Sequence, residues 1–379
     1  MENTLQIIAQ LVKYQSITPL GLDCLRYIES MLKSLNFDTE IVKYGPVYNM
    51  FAKLEKPGPH ICFGGHIDTV PPGNLWANDP NQLTRNGDEI SGLGIVDMKG
   101  SIGCFLSILQ NHIDEINGSI SLLLTTDEEG DATDGIKRYI EEGKIKNEQI
   151  DLFILGEPTC NSIAGDSVKI GRRGSVTAVL SLEGSKGHIA YPEFANSAIN
   201  PLEDLISEFN NKSIGESNQY FEATRVQITS INTPNPVENV IPGSVEIGFG
   251  TRFNSNYKGE DIIKILSEKI ERICTKYKVK YSITWKLHGE PFIINDKNII
   301  NWLDKNIQDI TNNPVNFNAS GATSDGRFLT KLGPVVEIGL EESEAHQTGE
   351  KTTIQNIMQL REIFKKLLLN LDTFPKFQV

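Results

Sequence analysis

The chain has no Cys-x-x-Cys pair, and its five cysteines, Cys24, Cys62, Cys104, Cys160 and Cys274, are odd in number and scattered. Neither a disulfide framework nor a thiolate metal site fits that distribution, so reduced thiols and a cytoplasmic location are expected. No stretch approaches the ~18 consecutive apolar residues of a membrane span. The opening segment MENTLQIIAQ has no basic region leading into an apolar run, so no secretory signal is expected. Basic runs are missing too: 36 Lys and Arg stand against 49 Asp and Glu, for a formal net charge of −13. That balance argues against nucleic acid or a membrane surface as partner. There is no glycine-rich phosphate loop between a strand and a helix, and no GxSxG nucleophile elbow in a suitable setting. Nucleotide chemistry and a serine nucleophile are therefore not expected.

What is present is an ordinary globular composition over 379 residues, 39% hydrophobic and 22% charged. Single cores stop growing near roughly 250–300 residues, which favours two domains. Leu5, Ile8, Leu11 and Val12 recur at helical spacing, as do Leu25, Ile28, Met31, Leu32 and Leu35. Asn49–Leu54, His60–Phe63, Ile120–Leu124 and Leu152–Leu155 read as strands, with a helix over Ser101–Ile113. Strands alternating with helices predict an α/β fold with a mixed, mostly parallel sheet. From about Ser175 the pattern changes. Strands at Ser175–Glu183, Arg225–Ile231, Ser244–Phe253 and Lys280–Leu287, with helices at Ala198–Phe209 and Asp261–Tyr277, give the order βαββαβ of a ferredoxin-like α+β unit. A strand at Val335–Gly339 and a helix at Ile354–Leu369 then resume the first pattern. The expected division is a discontinuous catalytic domain, 1–175 and 292–379, with an insertion at 176–291.

Three apolar runs each end in polar residues, and sites in open α/β sheets form at the carboxyl ends of strands. The first delivers His66-Ile67-Asp68, the second Asp127-Glu128-Glu129, the third Glu157 in Gly156-Glu157-Pro158. Asp97, in Gly94-Ile95-Val96-Asp97-Met98-Lys99-Gly100, and His346 complete the set. Each has a plainer explanation alone. His66 beside Asp68 suits a surface pair, Asp97 an N-cap before the next helix, and the acids a solvated strand end. Jointly, two histidines and three or four carboxylates without sulfur suit zinc, cobalt or manganese. Each zinc would take one His, one terminal carboxylate and one shared carboxylate, with room for a bridging water. Two-metal hydrolysis has this logic. A carboxylate near His66 could take its second N–H and fix the ring. Of two adjacent acids, one can be neutralised by a cation while the other serves as general base.

The set GHIDTVPPG, GLGIVDMKG, TTDEEG, GEPT and GHIAYP resembles the co-catalytic zinc deacylases and exopeptidases of the aminoacylase–carboxypeptidase clan. More narrowly, Gly171-Arg172-Arg173-Gly174-Ser175, Asn239-Val240-Ile241-Pro242-Gly243 and Thr323-Ser324-Asp325-Gly326-Arg327-Phe328 resemble its desuccinylase branch, which acts on N-succinyl-LL-diaminopimelate. The resemblance implies a zinc-exopeptidase-like catalytic domain holding two Zn2+ per subunit, with Co2+ able to substitute. His66 and Glu157 would hold one zinc, Glu129 and His346 the other, and Asp97 would bridge. Asp68 would orient His66, and Glu128 would deprotonate the bridging water and return the proton to the leaving amine. The insert would form a homodimer and present His188 to the partner's active site, to stabilise the oxyanion. A substrate with several carboxylates calls for cations. Lys169, Arg172 and Arg252 are the candidates, with Ser175, Tyr191, Asn239, Gly321 and Thr323 as implied neutral contacts.

The sequence departs from that pattern at Leu93, where relatives commonly have arginine, at Glu238, at Ser320-Gly321-Ala322 and at Gln347-Thr348-Gly349-Glu350. Acetylornithine deacetylase-like or dipeptidase activity is the alternative with the same metal chemistry. A non-catalytic dimeric scaffold is the alternative of another class, which retention of Glu128 argues against.

Overall fold

The computed structural model describes residues 1–145, 148–234 and 237–375. The chain divides into two compact units: one of residues 1–171, 294–318 and 324–379, the other of residues 172–293 and 319–323.

The first unit is built on an eight-stranded sheet. Its order is Asp38–Tyr44, Val47–Leu54, Ser119–Thr125, His60–His66, Leu152–Leu155, Val335–Glu337, Ser167–Lys169, Asn316–Asn318. The inner strands Ser119–Thr125, His60–His66, Leu152–Leu155 and Val335–Glu337 run parallel to one another, and the two at the first edge are antiparallel. Every residue of the strands His60–His66, Ser119–Thr125 and Leu152–Leu155 is buried. Such continuous burial follows when both faces are covered, which is why these segments read as unbroken apolar runs rather than alternating ones. Phe63 shows the packing: its ring stacks on Phe105 of the helix Gly100–His112 at 4.3 Å and meets Phe364 of the helix Ile354–Leu369 edge-on at 5.8 Å. Burial of a side chain of this size contributes roughly 1.5–3 kcal/mol.

Register decides where the site falls. His66 pairs with Thr125, and Gly64 with Leu155. The strands His60–His66 and Ser119–Thr125 therefore end level, Leu152–Leu155 stops two residues short of them, and the residues just beyond all three meet at one edge. Close approach is bought with missing side chains: a Cβ on Gly65 would lie 2.2 Å from Met98 Cε, and one on Gly339 would lie 2.2 Å from the Glu157 carbonyl oxygen.

The second unit is an antiparallel sheet in the order Lys212–Ile214, Thr224–Asn232, Ser244–Phe253, Gly174–Glu183, Lys280–Gly289. The helices Leu202–Phe209 and Gly259–Tyr277 share with it a core of Leu180, Leu182, Phe209, Phe249, Leu266 and Ile270. This is the ferredoxin-like βαββαβ order with one short additional edge strand. The strand Asp38–Tyr44, which no apolar pattern announced, is an edge strand on which no residue is fully buried. Among the described residues no helix is long and apolar enough to cross a membrane.

Candidate metal centre

His66 is the last residue of its strand and is fully buried. Its Nδ1 lies 2.9 Å from the main-chain carbonyl oxygen of Asp68, which fixes the ring and directs Nε2 at the site. That Nε2 is 3.1 Å from Asp97 Oδ1 and 3.9 Å from Glu157 Oε1. On the other side, His346 Nε2 is 2.7 Å from Glu129 Oε1 and 3.3 Å from Asp97 Oδ2. Asp97 thus offers one oxygen to each imidazole.

Two donor triads result, His66–Asp97–Glu157 and Asp97–Glu129–His346, and in each the ligand atoms lie within 4.8 Å of one another. Glu128 forms a third such group with His66 and Glu129, again with the ligand atoms within 4.8 Å of one another. Glu157 Oε1 is buried and has no hydrogen-bond partner among the described residues. An unpartnered buried carboxylate oxygen facing an imidazole is poorly placed by itself and well placed as a cation ligand. The donor set, nitrogen and oxygen without sulfur, fits a pair of divalent cations.

The electrostatics agree. Burial pushes the Glu128 carboxyl well above the usual carboxylate range; His66 opposes this, while Asp325, Glu129 and Asp97 add to it. Burial also raises Glu157 well above its ordinary value, helped by Asp97 and Glu128. For Asp97 burial is outweighed by hydrogen bonds from His346 and His66, which hold its carboxyl far below the usual range. Hydrogen bonds to Asp97 and Glu129 lift His346 to about 10.

One sequence-based expectation and one plainer alternative change here. Asp68 does not hold His66 through its carboxylate, whose Oδ1 stands 3.6 Å from Nδ1; the main-chain carbonyl makes that bond. The carboxylate instead accepts the main-chain N–H groups of Glu128 at 3.4 Å and Glu129 at 3.1 Å. Asp97, the possible N-cap, caps nothing: it lies in an irregular turn over Ile95–Lys99, and Lys99 occupies the N-cap position of the next helix. Sequence reasoning also passed over Glu350, a buried acid bonded to the Asp97 loop. It passed over Asp325 too, 1% exposed, neither of whose carboxylate oxygens has a hydrogen-bond partner among the described residues.

The substrate-binding candidates fall into three groups. Lys169, in the first unit, is 2% exposed and pairs with Glu342 Oε2 and Asn318 Oδ1, each at 3.1 Å. In the second unit Arg172 donates to the Ser320 carbonyl at 3.1 Å, Arg173 to that of Gly321 at 3.3 Å, and Arg252 to Ser175 Oγ at 2.6 Å. Thr323 closes the segment that carries Ser320 and Gly321. His188, Tyr191 and Asn239 form a separate exposed group: the His188 and Tyr191 ring centroids are 5.8 Å apart, and Asn239 accepts the Ile189 N–H through its carbonyl. Leu93 is buried.

A parallel-sheet edge that gathers imidazoles and acids in two triads around a shared carboxylate defines the class of metal-dependent hydrolases. The chain belongs to the peptidase family M20/M25/M40, whose model matches residues 62–370. Its curated relatives include succinyl-diaminopimelate desuccinylases from Rickettsia bellii, 36% identical over 95% of this chain and 94% of the relative, and from Rickettsia massiliae, 37% identical over 95% and 98%. Among solved structures, a tripeptidase from Staphylococcus aureus superposes with a TM-score of 0.80 at 18% identity, covering 98% of each chain. A dinuclear metal-binding M20 peptidase from Bacillus subtilis superposes with a TM-score of 0.72 at 16% identity, covering 99% of each chain. At those identities the structures speak for the fold alone.

Proposed function

We propose that the chain hydrolyses N-succinyl-LL-2,6-diaminopimelate to LL-2,6-diaminopimelate and succinate, a step of diaminopimelate and lysine biosynthesis. The observation that carries the chemistry is Asp97, which presents one oxygen to His66 and the other to His346. His66, Asp97 and Glu157 would hold one cation, and Asp97, Glu129 and His346 the second. We read them as zinc, with cobalt able to substitute. When bound, the two cations polarise the scissile carbonyl and acidify the attacking water.

The chain's own groups do the rest. Glu128 takes the proton of the attacking water and gives it to the leaving amine, a task suited to a carboxyl that burial has made more basic. Asp68 holds the main chain of Glu128 and Glu129. Arg172 and Arg252 read the carboxylates of the substrate, with Ser175, Tyr191, Asn239, Gly321 and Thr323 as neutral contacts. Lys169, already paired with Glu342, supports the loop that leads to His346. His188 stabilises the oxyanion in a homodimer formed by the second unit. The Lys280–Gly289 strand at the edge of that sheet, with Tyr281 and Leu287 exposed, suits such a contact. All five cysteines are buried and unpaired, in keeping with a reducing cytoplasm.

The test compares hydrolysis of N-succinyl-LL-diaminopimelate with that of N-acetylornithine, with and without chelator. The succinylated substrate should be preferred and the chelator should abolish turnover. Glu128→Gln should keep both cations and lose about 10²–10⁴-fold in kcat. Preference for acetylornithine would move the reading to a deacetylase, and full activity of the variant would remove Glu128 from its role.

A further inference from the structure

Glu350 stands four residues after His346, yet its side chain turns inward and is 3% exposed. The carboxylate accepts three main-chain N–H groups from one loop: that of Gly94 at 2.7 Å on Oε2, and those of Val96 at 2.7 Å and Asp97 at 3.0 Å on Oε1. The Glu350 carbonyl takes a fourth, from Gly92 at 3.2 Å. The receiving loop is irregular. Gly94 has φ +77°, and Asp97 and Met98 have non-helical dihedrals. Converging N–H groups of this kind form a concavity that suits an anion. Here the anion is supplied by the chain itself.

We propose that Glu350 is a positioning residue for the metal centre: its carboxylate fixes the main chain of Asp97 to the loop that carries His346. The inference rests on the reading of Asp97 and His346 as cation ligands. An acid that would serve two cations must keep both oxygens in place. Asp97 has no strand ladder to hold it, so its main chain is held by Glu350 instead. The device recurs in the same site, where the Asp68 carboxylate holds the N–H groups of Glu128 and Glu129. The loop that delivers Asp97 and the loop that delivers Glu128 and Glu129 are thus each tied by a buried acid. An amide in place of the carboxylate would set an NH2 against either Gly94 or the Val96–Asp97 pair.

The test uses the full-length protein stripped with chelator and titrated with zinc against a chromophoric competitor. Glu350→Gln should weaken both zinc sites by about 10–100-fold, because Asp97 serves both, while KM at saturating zinc stays within about twofold of the parent. In the metal-free parent, hydrogen exchange should find the Gly94, Val96 and Asp97 amides protected. Unchanged zinc dissociation constants in a folded Glu350→Gln protein overturn the proposal. So does exchange of those three amides at unstructured rates in the parent, which decides the matter if the variant does not fold. A parent that takes up no zinc sinks the metal reading together with this one; a parent that binds two while the variant matches it sinks only this one.

Discussion

Replacing Asp68 by Asn separates two ways in which this acid could serve the site. The substitution keeps shape and main chain, so the bond from His66 Nδ1 to the Asp68 carbonyl survives. What changes is the acceptor of the Glu128 and Glu129 N–H groups at 3.4 and 3.1 Å. An amide can accept only through its oxygen. If that faces the shorter contact, the Glu128 N–H meets an NH2 group and loses a bond worth about 1.5–3 kcal/mol, and the surviving bond, now neutral, falls to about half its strength. Against this stands the cost of the native charge. Burial raises Asp68 from 3.8 to about 6, which at 1.36 kcal/mol per pK unit amounts to about 3 kcal/mol at neutral pH. The shift already contains the Glu129 bond, so Tm of the metal-free protein should change little at pH 4 and rise at pH 7.

The pH dependence has a definite sign. A raised acid contributes stability below its unfolded pKa and loses it as pH rises through the folded one, so the variant should gain on the parent between pH 4 and 7. Catalysis moves the other way. Loss of the hold on Glu128 and Glu129 should lower kcat/KM by about 10–100-fold and weaken the Glu129–His346 cation more than the His66–Glu157 one. The assay is kcat/KM over a zinc titration, with melting curves at pH 4 and 7. Greater weakening of the His66–Glu157 cation would return Asp68 to the role of orienting His66 through its carboxylate, and kcat/KM within twofold of the parent would refute the argument altogether.

Asp325 gives a second case of buried charge: burial lifts it to about 7 against the pull of Arg327 and His66. Asp325→Asn should therefore raise Tm of the metal-free protein at pH 8, by at most about 4 kcal/mol of stability, and the gain should vanish at pH 4; an equal gain at both contradicts the assignment. Gly339→Ala would place a Cβ 2.2 Å from the Glu157 carbonyl oxygen and 2.7 Å from that of Gly156. It should cost about 1–3 kcal/mol and selectively loosen the cation held by His66 and Glu157, as a zinc titration resolves; a variant with parental Tm and affinity would show that the strands part freely there. Cation uptake must displace the proton that Asp97 and Glu129 hold on His346, whose pKa stands at about 10. Affinity should rise with pH through neutrality, by about tenfold per pH unit for one proton released. Calorimetry in buffers of different ionisation enthalpy counts that proton, and a count of zero is incompatible with His346 as a ligand.

The sequence is legible where chemistry coincides with a strand end. His60–His66 and Ser119–Thr125 are buried throughout, so their apolar letters mark the core and the polar letters that follow mark its edge. Register then brings His66, Glu128, Glu129 and Glu157 together without any further signal. It is illegible where the edge is exposed, as at Asp38–Tyr44, and in short helices such as Ile136–Glu141, whose six residues carry too little periodicity.

Illegibility within the site has a different origin. Glu350 and Asp68 act on main-chain N–H groups, which every residue but proline possesses, so no partner letter exists for a reader to match. The His66–Asp68 pair looked like side chain meeting side chain because HxD is written in side chains, while the contact that forms uses a carbonyl common to all residues. The same reasoning explains the acidity of the centre. Asp68, Glu128, Glu157, Asp325 and Glu350 are all pushed above their ordinary values, in each case first by burial. Among the described residues the buried cation beside Asp68 and Glu350 is Lys99, whose Nζ donates to the Tyr14 carbonyl at 3.0 Å. So many desolvated acids set against so little positive charge make the protein alone a poor resting state. The deficit is one that two divalent ions at Asp97 would remove, because the acids that are costly to bury are the ones that would hold or position those ions.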